Sequence, residues 1–235
     1  MSKNILIVKG GFSDEAEVSR KTADNVNNAL IAKGYKTKVM EVNNSFIAWL
    51  INNKSDIDDL GFIESLILKL SSQNIINSDR VYMVGYSNGG MMSYAMACHK
   101  SNLVAAIASV SGTMLYISNC EPNRSIPLLN IHGTEDPTLP YNGNNYYNSV
   151  DDALNFWNTN NNSDPSPNTT LLNTNLNNIQ FFGFSNSSNI SVDHYKIING
   201  GHVWFDININ GKNTSELVWD FFSKYDINGR IDTSQ

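Results

Sequence analysis

The stretch Gly85-Tyr86-Ser87-Asn88-Gly89 constrains this chain more than any other, because it joins two segments with opposite local preferences. Arg80 to Val84 is a short β-branched and apolar run that reads as a buried strand. Gly90 to Cys98 is helix-forming and apolar on a wide face. A strand that becomes a helix within five residues must turn sharply, and glycines at both ends of the pentapeptide permit that turn. The serine at its apex then projects above the sheet edge, beside the free amides of the helix N-terminus. Such a serine is placed to act as a nucleophile.

Two later segments carry the groups that a serine nucleophile needs. Ile126 to Gly133 is a second buried-strand pattern, with Thr134-Glu135-Asp136-Pro137 at its C-terminal end. Val192 to Ile198 reads as a last strand, followed by Asn199-Gly200-Gly201-His202. The hydroxyl needs a neutral imidazole to take its proton, and the imidazole needs a buried carboxylate on its other nitrogen. Ser87, Asp136 and His202 are the candidate catalytic residues, each on a loop after a strand, and their order matches that of α/β-hydrolases. Glu135 competes with Asp136 and reads as its solvated neighbour. His132 ends a strand and reads as packing or hydrogen-bonding beneath the site. His99 closes the helix after Ser87, where its charge complements the helix dipole. His194 alternates within a strand and reads as a surface residue. Only His202 follows two glycines beyond the last strand.

Alternation of strands and helices predicts an α/β fold, a mostly parallel sheet of about six strands with helices on both faces. The expected strands are Ile5–Val8, Lys36–Val42, Arg80–Val84, Val104–Val110, Ile126–His132 and Val192–Ile198. Asp59–Leu70 and Thr214–Tyr225 read as amphipathic helices. A chain of 235 residues, 41% of them hydrophobic, suffices for one large α/β domain over 1–235, with the first 53 residues integrated in its sheet. Residues 138–191 read as a lid or insertion, with a short helix at Ser149–Trp157 and an extra hairpin from Thr169–Leu172 and Ile179–Phe184. Phe181, Phe182 and Phe184, with Trp157 and Trp204, either line an acyl pocket or pack under that lid. Tyr141, Tyr146 and Tyr147 are either aromatic-substrate contacts or surface loop residues.

A net charge of −6 without basic clusters argues against nucleic-acid and anionic membrane partners. The two cysteines, Cys98 and Cys120, lack metal-ligand spacing, so no metal is expected, and their pairing stays open. Met1 to Asn4 runs straight into four apolar residues, too few for a signal peptide or a membrane span. The expectation is a cytoplasmic protein, with a secreted mature form as the alternative.

Gly85-Tyr86-Ser87-Asn88-Gly89-Gly90-Met91-Met92 resembles the nucleophile elbow of polyhydroxybutyrate depolymerase-like esterases, a group that includes feruloyl and acetylxylan esterases. Asp58-Asp59-Leu60-Gly61-Phe62-Ile63 is similar to that family's Asp-Val-Gly-Phe segment. His132 to Gly143 is similar to its acid loop, and Gly200-Gly201-His202-Val203-Trp204 to its His-Thr-Trp loop. The resemblance runs from about residue 48 to residue 204. It implies an α/β-hydrolase fold and a carboxylesterase for short hydroxyacyl, acetyl or aryl esters, small or oligomeric, with no cofactor. Ser87 would be the nucleophile, His202 its base and Asp136 the orienting acid. The oxyanion hole would combine the Asn88 amide with one from Gly11 or Phe12, and Tyr86, Trp204 and Tyr141 would contact substrate. This chain departs from the family in having Lys9-Gly10-Gly11 where His-Gly is usual, and in lacking two leading antiparallel strands.

The first 53 residues also resemble the start of D-alanine–D-alanine ligases, at Gly10, Gly11, Ser13, Glu15, Glu17, Val18, Ser19, Gly34 and Tyr35. Glu17 stands where those ligases hold substrate, but the sequence has no ATP-grasp portion. Two alternatives to an esterase follow. One is a non-catalytic hydrolase-fold protein with an incomplete oxyanion hole, and the other a ligand-binding role for the Glu17 loop.

Overall fold

The computed structural model describes residues 4–10, 16–42, 58–115, 117–174 and 178–231. The chain divides into two compact units, Met1–Ser78 and Asp79–Gln235. In the first, strands β1 (Asn4–Gly10) and β2 (Lys36–Val42) pair in parallel, with Ile5 opposite Thr37 and Val8 opposite Met40. Helix α1 (Ala16–Ala32) makes the crossover and buries Ala23, Ala29 and Leu30. Gly34, at φ +79°, takes the left-handed turn that stops it. Helix α2 (Asp59–Ser72) starts where the Asp58 carboxylate accepts from the Gly61 amide at 2.8 Å, and it buries Leu66, Ile67 and Leu70.

A 3₁₀ turn at Ser78–Arg80 precedes β3 (Tyr82–Tyr86), which starts and ends two residues later than expected. There follow α3 (Asn88–His99), β4 (Ala106–Val110), β5 (Leu128–Gly133) and α4 (Val150–Asn160). The chain then runs through β6 (Asn168–Asn173), β7 (Asn178–Ser185), β8 (Ser191–Ile197) and α5 (Thr214–Phe222). Reciprocal capping boxes open both late helices, Ser149 with Asp152 on α4 and Asn213 with Glu216 on α5.

A six-stranded sheet runs in the order β3-β4-β5-β8-β7-β6. Its first four strands are parallel, while β7 and β6 are antiparallel additions. Both β4 and β5 are buried throughout, as inner strands of a parallel sheet are, Ser109, Asn130 and His132 among them. Val218, Phe221, Phe222 and Tyr225 pack with Ala106, Ala108, Val110, Leu129 and Ile131 in one core cluster.

The sheet corrects two expectations. Ile5–Val8 and Lys36–Val42 belong to a two-stranded sheet of their own. The β6–β7 hairpin, expected as part of a lid, instead extends the larger sheet beyond β8. Burial explains the hairpin's place: Ile179 is wholly buried, Phe181 meets Tyr195 at 4.9 Å between ring centroids, and Phe182 stacks on His194 at 6.0 Å. Trp157, also wholly buried, stacks on Tyr94 at 6.5 Å and serves the core, while Phe181, Phe182 and Phe184 are half-buried along β7. The open question of the cysteines closes as well, because Cys98 and Cys120 form a disulfide between the end of α3 and the loop before β5.

Candidate active site

Strand register brings the critical loops to one edge. Tyr86 lies opposite Val110, Val110 opposite Ile131, and Gly133 opposite Ile197, so the chain leaves β3, β4, β5 and β8 on the same side. Ser87 follows β3 directly at φ +54° and ψ −117°, a strained state for a residue with a side chain. The turn is so tight that a Cβ on Gly85 would lie 2.1 Å from the Gly89 carbonyl carbon; glycine is required there by contact. The Ser87 amide donates to Val110 O at 2.9 Å, pinning the turn to β4. Ser87 forms no side-chain cap on α3, and its hydroxyl goes elsewhere.

That hydroxyl donates to His202 Nε2 at 2.8 Å, and His202 Nδ1–H donates to Asp136 Oδ2 at 2.8 Å. The Asp136 side chain is wholly buried and that of His202 is 15% exposed. Asp136 Oδ1 accepts from the Thr138 and Leu139 amides, both at 2.8 Å, so each carboxylate oxygen has donors that fix it. Glu135 is exposed. The sequence thus placed all three residues, and the structure joins them by side-chain hydrogen bonds across 115 and 66 positions of chain.

The acid and histidine loops are stitched together. Thr134 N donates to Ile197 O at 3.0 Å, Glu135 N to Gly200 O at 2.9 Å, and Asn199 N to the Thr134 hydroxyl at 2.8 Å. A Cβ on Gly133 would lie 2.1 Å from Gly200 O, so the two loops touch backbone to backbone.

His132 does hydrogen-bond beneath the site. Its Nε2–H donates to Leu139 O at 2.9 Å and lies 3.4 Å from Asp136 Oδ2. Burial lowers its pKa, against the opposing pull of the Leu139 carbonyl and the Asp136 charge. His194, expected at the surface, is instead only 1% exposed, because the Tyr141 and Phe182 rings lie against it at 5.8 and 6.0 Å between ring centroids. Tyr141 is buried too, which removes it as a substrate contact. Its single hydroxyl proton goes to the Asp151 carboxylate at 3.0 Å, which can only accept, so His194 Nε2–H donates to the phenol oxygen at 3.0 Å. Tyr86, the other aromatic expected on substrate, turns its hydroxyl onto His202 O at 2.9 Å. Trp204 is partly exposed and packs against the core cluster that holds Phe221 and Phe222. Gly11 and Phe12 lie outside the described residues.

Burial pushes the His194 pKa down to about 3. The unfolded chain takes up this proton near pH 6.5 and the folded one does not, so the stabilising term is complete above pH 6.5. It is lost progressively as pH falls toward 3. Thermal unfolding across pH 7 to 4 will show stability falling with acid, and His194→Gln will flatten that slope by up to about 1.4 kcal/mol per pH unit.

Among the described residues no group of histidine, cysteine and carboxylate side chains is arranged to hold a metal ion, and no helix is long and apolar enough to cross a membrane. Residues 52–182, more than half of the chain, match the model of the phospholipase/carboxylesterase family. The chain belongs to that family. Feruloyl esterase B of Piromyces equi is 32% identical over 93 residues, which is 38% of this chain and 17% of that protein. A bifunctional acetylxylan esterase/xylanase of Neocallimastix patriciarum is 25% identical over 187 residues, 75% of this chain and 25% of that protein. The chain therefore spans only a minor part of the length of these curated relatives. The acetyl xylan esterase structure from Aspergillus awamori superposes with a TM-score of 0.57 at 13% identity, covering 94% of this chain and 88% of that one. The fold is that of the α/β-hydrolases, as the elbow and the order of the three residues had implied.

Proposed function

We propose that this phospholipase/carboxylesterase family member is a serine carboxylesterase that works through an acyl-enzyme. The observation that carries the reading is the unbroken hydrogen-bonded chain from the Ser87 hydroxyl through His202 to buried Asp136. Ser87 Oγ attacks the ester carbonyl carbon as its proton passes to His202 Nε2. The resulting imidazolium keeps its Nδ1–H on Asp136, whose negative charge stabilises it. Charge developing on the carbonyl oxygen meets the Asn88 amide at the N-terminus of α3, where the helix field favours an anion. Collapse of the tetrahedral intermediate breaks the bond to the alkoxy oxygen, and His202 gives that oxygen its proton. Water then enters, loses a proton to His202 and attacks the acyl carbon. The acid departs, and Ser87 regains its proton.

The names of the relatives, feruloyl and acetylxylan esterases, favour short acetyl and aryl acyl groups, and the elbow resemblance adds hydroxyacyl esters. The test is hydrolysis of p-nitrophenyl acetate beside acetyl, 3-hydroxybutyryl and feruloyl esters. Saturable turnover of at least one is the expected result. Folded protein that hydrolyses none of them would overturn the assignment.

A further inference from the structure

Asp136 holds the His202 ring, but a separate pair of hydroxyls holds the backbone that carries it. Tyr86 Oη donates to the His202 carbonyl at 2.9 Å, and Ser111 Oγ donates to the Val203 carbonyl at 2.9 Å. Two consecutive peptide groups are thereby gripped from two neighbouring strand ends. One donor immediately precedes Ser87; the other immediately follows β4, whose Val110 carbonyl accepts the Ser87 amide. The Tyr86 ring adds a second restraint, lying 5.1 Å from the His202 imidazole with the planes tilted by 40°.

Ser111 is the more telling partner. It is wholly buried at φ +48°, a backbone state that glycine adopts at less cost than any residue with a side chain. A serine there keeps its strain and gains a hydroxyl aimed at the histidine loop. The first half of that loop is tied to the acid loop through Gly200 and Asn199, and Tyr86 and Ser111 add hydrogen bonds to the two carbonyls that follow.

We propose that Tyr86 and Ser111 are positioning residues that lock His202 Nε2 onto the Ser87 hydroxyl before substrate arrives. This rests on the esterase reading above. The residue beside the nucleophile is then a clamp on the base, and misplacing that base would slow both proton transfers while leaving substrate binding alone. Loss of alignment on the ångström scale is enough to cost orders of magnitude in rate.

Tyr86→Phe removes one hydroxyl and keeps the ring; Ser111→Ala removes the other and keeps the backbone demand. Each is expected to lower kcat for p-nitrophenyl acetate about tenfold with KM within about twofold, and to slow fluorophosphonate labelling in proportion. Tyr82→Phe is the control, because it deletes a similar hydroxyl-to-carbonyl bond (2.7 Å, to Tyr225 O) at the far end of the same strand. It should lose stability without losing rate. The downfield proton resonance of the His202–Asp136 hydrogen bond should broaden in Tyr86→Phe and Ser111→Ala but not in Tyr82→Phe. Should one clamp variant fail to fold, the other decides the matter. Wild-type rates in a folded clamp variant, or losses no greater than in Tyr82→Phe, overturn the clamp while leaving the esterase assignment intact. Folded wild-type protein that takes no label at Ser87 overturns both.

Discussion

Ser87→Ala is expected to lower ester turnover by about 10⁶-fold and to leave the protein folded. The side chain hydrogen-bonds His202 and contributes no helix cap, so its removal costs chemistry far more than structure. Alanine meets the same backbone strain at φ +54° as serine does, which spares the elbow geometry. What persists is binding and the Asn88 amide, which hold substrate without an attacking atom. Steady-state kinetics on p-nitrophenyl acetate, beside thermal unfolding of the same sample, checks both halves of this statement. A variant that loses its rate only because it unfolds would not support it.

Asp136→Asn has the second largest effect, about 10⁴-fold on kcat. Asp136 Oδ1 is committed to the Thr138 and Leu139 amides, so an asparagine keeps its oxygen there and turns its NH₂ toward His202. Nδ1 then has to accept rather than donate. The imidazole proton moves to Nε2, the atom that faces Ser87, and a nitrogen bearing hydrogen cannot take another proton from the hydroxyl. The defect lies in the tautomer, so KM should stay within a few-fold of wild type while kcat collapses. A raised KM with preserved kcat would place Asp136 in substrate binding instead.

The three residues were legible because each obeys a local rule. Ser87 sits where an apolar strand meets a helix, Asp136 on the loop after a buried strand, and His202 after paired glycines. Parallel strands feed such loops to one sheet edge whatever their separation in sequence. Burial of polar groups is a different matter. His194 alternates like a surface strand residue, and its burial comes from Tyr141 and Phe182, both distant in sequence. Tyr141 sits in a polar loop, and its burial depends on His194, 53 residues away. Neither partner could be named from one sequence.

The β6–β7 hairpin was legible, but its place in the main sheet was not, for a related reason. Asn168-Thr-Thr-Leu-Leu-Asn carries little apolar alternation, as an edge strand half open to water permits. Its register is set by β7, and that strand's apolar residues are equally consistent with a pocket wall until Ile179, Phe181 and Phe182 find their neighbours. For β1 and β2 the pattern specified a parallel crossover pair and nothing about which sheet would hold it. Ser111 left no signal at all, since a serine after a strand is ordinary. Its place in the site is visible only once Val203 O is seen at 2.9 Å.

The most direct test of the account is to treat the folded protein with a fluorophosphonate and to locate the adduct by mass spectrometry of the intact chain and its peptides. One adduct per chain, on Ser87, absent after prior heat denaturation and absent from Ser87→Ala, is the predicted result. A folded chain that stays unmodified, or an adduct that survives the alanine substitution, would contradict it.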